Sequence, residues 1–225
     1  MVKAEMTVSD LSIVRRWVGD SKSWLNDFLD DVRRNQNIES VVVMGSAIRS
    51  NCHRRSDFDL VVIYGGARPR IKAPIEVDVR KYKSSRADSM VQEAQEVICW
   101  ALNFGIPIYD PNEFWANLSS SWEGRIPMPS QQHAEERSIK NFKLAQDFVD
   151  SGDEMAASDL LLAALTQYVR AELIRNGVFP ASRPELPNQL REIASSKFAD
   201  LLDDAMHSEI PTNLLIERTK AAIAE

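Results

Sequence analysis

The chain has 225 residues, 44% apolar and 27% charged, with a formal net charge of -6. That length suffices for one large domain or two small ones, each with its own core. The acidic balance argues against a protein built mainly to coat nucleic acid, though it leaves room for a local basic groove. No apolar run approaches a membrane span, and the N-terminus lacks the apolar core of a signal peptide. Cys52 and Cys99 form no CxxC pair, and His53, His133 and His207 are scattered. The expectation is a cytoplasmic protein with free thiols, without a disulfide framework or a zinc site.

Trp17, Trp24/Leu25, Phe28 and Val32 recur at three- and four-residue steps, which predicts a helix over 20–34. Two runs rich in β-branched residues, 41–44 and 60–64, read as strands around a polar insert. The insert opens with Gly45-Ser46 and closes with Ser56-Asp57-Phe58-Asp59. Gly65-Gly66 stops the second strand, and Pro69 and Pro74 keep the following segment in a loop. Alternation over 75–82 predicts a third strand, with Ile75, Val77 and Val79 on one face and Glu76, Asp78 and Arg80 on the other. Residues 87–104 read as one helix with Val91, Ala94/Gln95, Ile98 and Leu102 as its buried stripe and Gly105 as its stop. A short strand over 106–109 follows.

Residues 119–130 are linker-like in their serine, glycine and proline content, and no strand is convincing beyond them. Four amphipathic helices are predicted instead. The first is capped by Ser130 and buries Ile139, Phe142, Ala145 and Val149. The second opens at the capping-box spacing Ser151-Gly152-Asp153-Glu154 and runs through Leu161, Leu165, Tyr168/Val169 and Leu173 to Asn176-Gly177. After a loop over 180–187, Leu190, Ala194, Phe198, Leu201 and Ala205 outline the third, and 214–223 the last. The order of elements predicts an α+β fold, with a small mixed sheet and its helices over 1–120 and an α-helical bundle over 128–225.

Asp57 and Asp59, one residue apart at the mouth of a strand, share a face and repel each other, a cost that a divalent cation removes. A third acid on the next strand would complete a set able to hold two metal ions. Asp78 is the best candidate and Glu76, two positions earlier on the same predicted face, its rival. Gly45-Ser46 leaves a buried strand in a way that suits a turn and an anion-binding backbone, although glycine-serine turns are also common for structural reasons alone. No Walker lysine and no GxGxxG accompany it.

A hydrophobic strand, Gly45-Ser46, a spacer with Arg49, then Ser56-Asp57-Phe58-Asp59-Leu60 resembles the signature of the polymerase-beta-like nucleotidyltransferase superfamily. The eleven-residue step from Ser46 to Asp57 is similar to that of minimal nucleotidyltransferases and of small aminoglycoside or lincosamide nucleotidyltransferases. The resemblance covers residues 38–112 and includes Gly105-Ile106-Pro107-Ile108-Tyr109-Asp110, similar to the strand that closes the small catalytic domain. It implies that Asp57, Asp59 and Asp78 are the catalytic carboxylates and bind two Mg2+ ions. It also implies that Gly45, Ser46, Arg49 and Ser56 meet a nucleoside triphosphate, with ATP the expected donor. Ser50, where many relatives carry glycine, the Cys52-His53-Arg54-Arg55 spacer, and the short gap between Asp59 and Asp78 depart from the pattern.

The C-terminal helices resemble those that such enzymes use to cover the acceptor. The Arg-x4-His pair of ribonuclease-like partners is absent from 130–225. Tyr168, Arg170, Glu172 and Arg175 are candidates to face a cleft, and Trp100, Trp115 and Trp122 to stack on a base, although packing accounts for each as well. The implied reaction is transfer of a nucleoside monophosphate to a hydroxyl of a small molecule, with pyrophosphate leaving. Transfer to a protein or a tRNA, or a catalytically silent nucleotide-binding or antitoxin-like protein, are the alternatives, and a homodimer is an option if a single chain leaves the cleft too open.

Overall fold

The computed structural model describes residues 21–45, 48, 58–193, 196–207 and 210–224. Ser46, Arg49, Ser56 and Asp57 lie outside the described residues, as do Trp17, His53 and Ala194. The chain divides into two compact units, Met1–Pro127 and Met128–Glu225.

The first unit is built on helix α1 (Ser21–Arg34) and strands β1 (Ile38–Met44), β2 (Phe58–Tyr64), β3 (Val77–Lys83) and β4 (Ile106–Tyr109). The sheet has the order β3-β2-β1-β4, antiparallel throughout except for the parallel β2–β3 pair. One face packs on α1: Leu25, Phe28, Leu29 and Val32 recur at helical spacing and meet Val41, Val43, Phe58, Leu60 and Val62 in one core. Trp24 stacks on Phe28 one turn away, with ring centroids 5.0 Å apart. Asn37 ties the start of β1 to the turn after β2. Its side-chain amide donates to Ala67 O at 2.5 Å, and its backbone O accepts from Gly65 N at 2.9 Å.

Parallel neighbours need a long crossover, and here residues 65–76 supply it without a helix. The crossover lies against the α1 face, where Trp24 Nε1 donates to Lys72 O at 2.7 Å and Ile71 packs on the core. This loop shortens the third strand relative to its predicted extent. Ile75 and Glu76 form a turn ahead of β3, and Ile75, predicted to share a face with Val77 and Val79, is fully exposed.

Helices α2 (Ser84–Gln92) and α3 (Glu96–Phe104) contact β3 and β1, and Val42, Val61 and Ile63 are fully buried. The single helix predicted over 87–104 is broken at Ala94, whose φ is 54°. Gln95 N donates to Met90 O and Ala94 N to Val91 O, the paired bonds of a Schellman ending, here with alanine in the left-handed position usually held by glycine. Gly105 does follow α3, but its φ of -77° is not a left-handed cap. Glycine is needed there for space, because a β-carbon would fall 2.5 Å from Ala101 O and 2.6 Å from Val42 Cγ1. Helix α4 (Phe114–Trp122) occupies the first part of the predicted linker, and both Asp110 carboxylate oxygens accept from its first turn, from Trp115 N and Ala116 N at 3.0 Å.

The second unit is helical: α5 (Gln131–Asp150), α6 (Glu154–Arg175), α7 (Leu186–Ile193), α8 (Ser196–His207) and α9 (Thr212–Ala224). Its core gathers Ala145, Leu161, Leu165, Val169, Leu173, Leu186, Leu190, Leu202, Leu215 and Ile216. Ser130 Oγ accepts from His133 N at 3.2 Å and caps α5. The cap of α6 is Asp153, whose Oδ1 accepts from Ala156 N at 3.0 Å, and not Ser151, which instead donates to Phe148 O. The predicted third helix is two, α7 and α8, and α7 starts inside the predicted 180–187 loop, with Pro187 at a first-turn position that needs no N–H. Ile139, predicted on the buried face of its helix, is 57% exposed, and Ile223, near the end of α9, is 56% exposed. Among the described residues no helix is long and apolar enough to cross a membrane.

Candidate active site

Of the candidate site residues, the described ones, Gly45, Asp59 and Asp78, lie at one end of the sheet. Phe58 and Leu60 are fully buried in the α1 core, so the intervening Asp59 points to the other face and is half-buried. Met44 is the register partner of Asp59, and Gly45, the next residue, turns away from β1 with a φ of +86°. A β-carbon on Gly45 would lie 2.2 Å from Asp59 Oδ2 and 3.1 Å from its Cγ. The carboxylate therefore lies directly over the glycine α-carbon, in space that any other residue would fill. Ile48, within the connection after β1, is buried in the α1 core and anchors that connection to the sheet.

On β3, Val77 and Val79 pack toward α1 and Asp78 points the other way. Asp78 is the register partner of Asp59. Partners on adjacent parallel strands stand about 4.8 Å apart with side chains on the same face, so the two carboxylates are neighbours. Glu76, predicted on the same strand face as Asp78, lies in the turn before β3, where its carbonyl accepts from Phe58 N at 2.8 Å and sets the start of the parallel ladder.

Arg80 and Tyr82 follow Asp78 at period two and share its face. Arg80 donates to Asp78 Oδ2 from Nε at 2.7 Å and from Nη2 at 2.5 Å, offsetting part of the repulsion between the carboxylates. Burial, with the Asp78 charge adding to it and the Arg80 charge opposing it, raises the Tyr82 hydroxyl above its ordinary range, so it stays protonated at neutral pH. Arg80 was placed on this face by alternation alone; the role of Tyr82 was missed, although the same alternation extended by two residues reaches it.

The donor set suits a hard divalent cation. Carboxylate oxygens are the preferred ligands of Mg2+, and the absence of a side chain at Gly45 lets Asp59 Oδ2 lie close to the chain where it leaves β1. Among the described residues no group of three His, Cys, Asp or Glu donors gathers; the described carboxylates here are Asp59 and Asp78. Trp100 and Trp115 are buried, and Trp122 Nε1 donates to Asp88 Oδ1 at 2.9 Å with Arg125 over its ring. In the helical unit Tyr168 stacks on Phe198, and Arg175 pairs with Glu135 and Glu172.

Residues 25–120 match the family model described as a nucleotidyltransferase domain. No curated protein matches the chain. Among solved structures, the nucleotidyltransferase-like protein from Exiguobacterium sibiricum 255-15 is 13% identical, over 89% of this chain and 71% of that one, with a TM-score of 0.42.

Proposed function

Since residues 25–120 belong to the nucleotidyltransferase domain family, we propose that this chain transfers a nucleoside monophosphate, with ATP the expected donor, to a hydroxyl of a small molecule. The observation that carries the proposal is the register pairing of Asp59 with Asp78 beside Gly45, over which the Asp59 carboxylate lies. Arg80 offsets only part of the repulsion between these carboxylates, and a divalent cation would offset the rest.

In this reading Asp57, Asp59 and Asp78 hold two Mg2+ ions. Bound there, the metal supplies charge neutralisation for the phosphates and a lowered pKa for the acceptor hydroxyl. The turn at Gly45 brings the chain close to the phosphates, with Ser46, Arg49 and Ser56 as their further contacts. The acceptor oxygen attacks the α-phosphorus, the bond from that phosphorus to the bridging oxygen breaks, and pyrophosphate leaves with the electron pair. Asp78 accepts the hydroxyl proton, and Arg80 aims the Asp78 carboxylate through its two N–H bonds. A dry sheet face beneath the pair keeps both strands from shifting, because Val42, Val61 and Ile63 are fully buried there.

The test is incubation with each α-labelled nucleoside triphosphate and Mg2+ in the presence of cell extract separated into small-molecule, RNA and protein fractions. Label is expected in the small-molecule fraction, dependent on Mg2+ and absent with Asp59→Asn. Label in the RNA or protein fraction would replace the acceptor class. Absence of label from every fraction would overturn the reaction itself.

A further inference from the structure

The second unit contains an open cavity of about 600 Å³ lined by residues of α5, α6, α8 and α9. Its size falls within the range of sites that hold small organic ligands. The walls are apolar and aromatic. Phe142, Leu165, Tyr168 and Phe198 line it, and the Tyr168 and Phe198 rings stack with centroids 3.9 Å apart. Ile139 and Ile223, more than half exposed on α5 and α9, also line it, so the cavity opens through an apolar mouth. Large apolar side chains left at the rim of an apolar cavity are the mark of a binding surface, since burying them against the core would have been favourable.

Charge is distributed unevenly along this cavity. At one end Arg175 bonds both Glu135, at 2.7 Å, and Glu172. One guanidinium between two carboxylates leaves one net negative charge. Hydrogen bonds from Gln131 and Arg175 hold the Glu135 carboxyl below its usual range, so that charge is present at neutral pH. Lys220 is engaged by Glu217 at 2.7 Å. Lys143 lies eight residues after Glu135 on α5, about 12 Å along the helix, and so toward the other end.

We infer that this cavity binds a small aromatic amine, its ring between Phe142, Tyr168 and Phe198 and its protonated nitrogen toward Glu135 and Glu172. The aromatic faces attract a cation as well as an apolar body. The inference rests on the cavity of the helical unit alone and does not depend on the proposed transfer reaction.

Titration calorimetry on the full chain with tryptamine, indole and indole-3-acetate tests the inference, the three probes sharing a ring and differing in charge. Tryptamine is expected to bind at one site per chain, at least about tenfold tighter than indole-3-acetate. Glu172→Gln should abolish that preference, and Glu135→Gln, at a more exposed position, should reduce it if the first variant fails to fold. Ile139→Ser at the mouth should weaken tryptamine and indole together. Equal binding of amine and acetate, a preference unchanged in both folded glutamine variants, or no binding of any probe up to about 5 mM would overturn it.

Discussion

A β-carbon placed on Gly45 would fall 2.2 Å from Oδ2 of Asp59, so the carboxylate sits where any side chain at position 45 would begin. Gly45→Ala must therefore displace Asp59 and also adopt a φ of +86°, which costs an alanine about 1–2 kcal/mol. We expect nucleotidyl transfer to fall at least about 100-fold and urea denaturation to register a loss of about 1–3 kcal/mol. Gly152→Ala is the control, because Gly152 has a φ of +83° with nothing within 4 Å. It should lose stability without losing transfer, and equal activity in both variants would remove Gly45 from the site.

Asp78 stands opposite Asp59 in the parallel ladder, whereas Glu76 contributes its carbonyl to Phe58 from the preceding turn. Asp78→Asn should lower kcat by at least about 100-fold, and Glu76→Gln should stay within about threefold of the parent. The reverse ranking in a pyrophosphate-release assay would transfer the third carboxylate to Glu76.

Ala94 holds a left-handed conformation at 54° in the link between α2 and α3. Glycine there removes the Cβ clash, partly offset by the greater freedom of the unfolded chain. Ala94→Gly is predicted to stabilise the protein by about 0.5–1 kcal/mol, a rise in Tm of about 1–4 °C. Differential scanning calorimetry decides it, and a fall in Tm would contradict the assigned backbone.

Cys99 is buried in α3, and burial pushes its thiol up to about 11 from an ordinary value of 9.0. The native protein binds this proton more tightly than the unfolded chain. The associated stability is complete below pH 9 and is lost as pH rises toward about 11. In a Cys52→Ser background, a thiol reagent at pH 8 should modify Cys99 no faster than the protein unfolds. Rapid labelling of folded protein would show the thiol to be accessible.

Much of the α+β order was legible because local patterns carry it. The apolar runs around Val41 and Val61, the helical spacing from Leu25 to Val32, and Ser130 as the α5 cap need only near neighbours in sequence. Where the reading failed, a distant or unmarked contact decided. The Ser-x-x-Glu spacing at Ser151 drew attention from Asp153, which is itself a good capping residue and makes the bond. Ala94 ends α2 although alanine is the strongest helix former, because two backbone hydrogen bonds fix the turn. Ile139 has the period of a buried residue but stands at the mouth of a cavity that α5 alone cannot create.

The amino-acid sequence by itself determined that a glycine follows one strand and that Asp59 stands at the opening of the next, since strand propensity, turn chemistry and period-two alternation act between adjacent residues. It favoured Asp78 as the third acid but kept Glu76 as its rival on the same predicted face. Only the tertiary structure decided between their positions, because the 65–76 crossover along the α1 face determines where β3 begins and hence which acid stands opposite Asp59. Strand register depends on packing between segments far apart in the chain, and a shift by one residue would turn Asp78 to the opposite face.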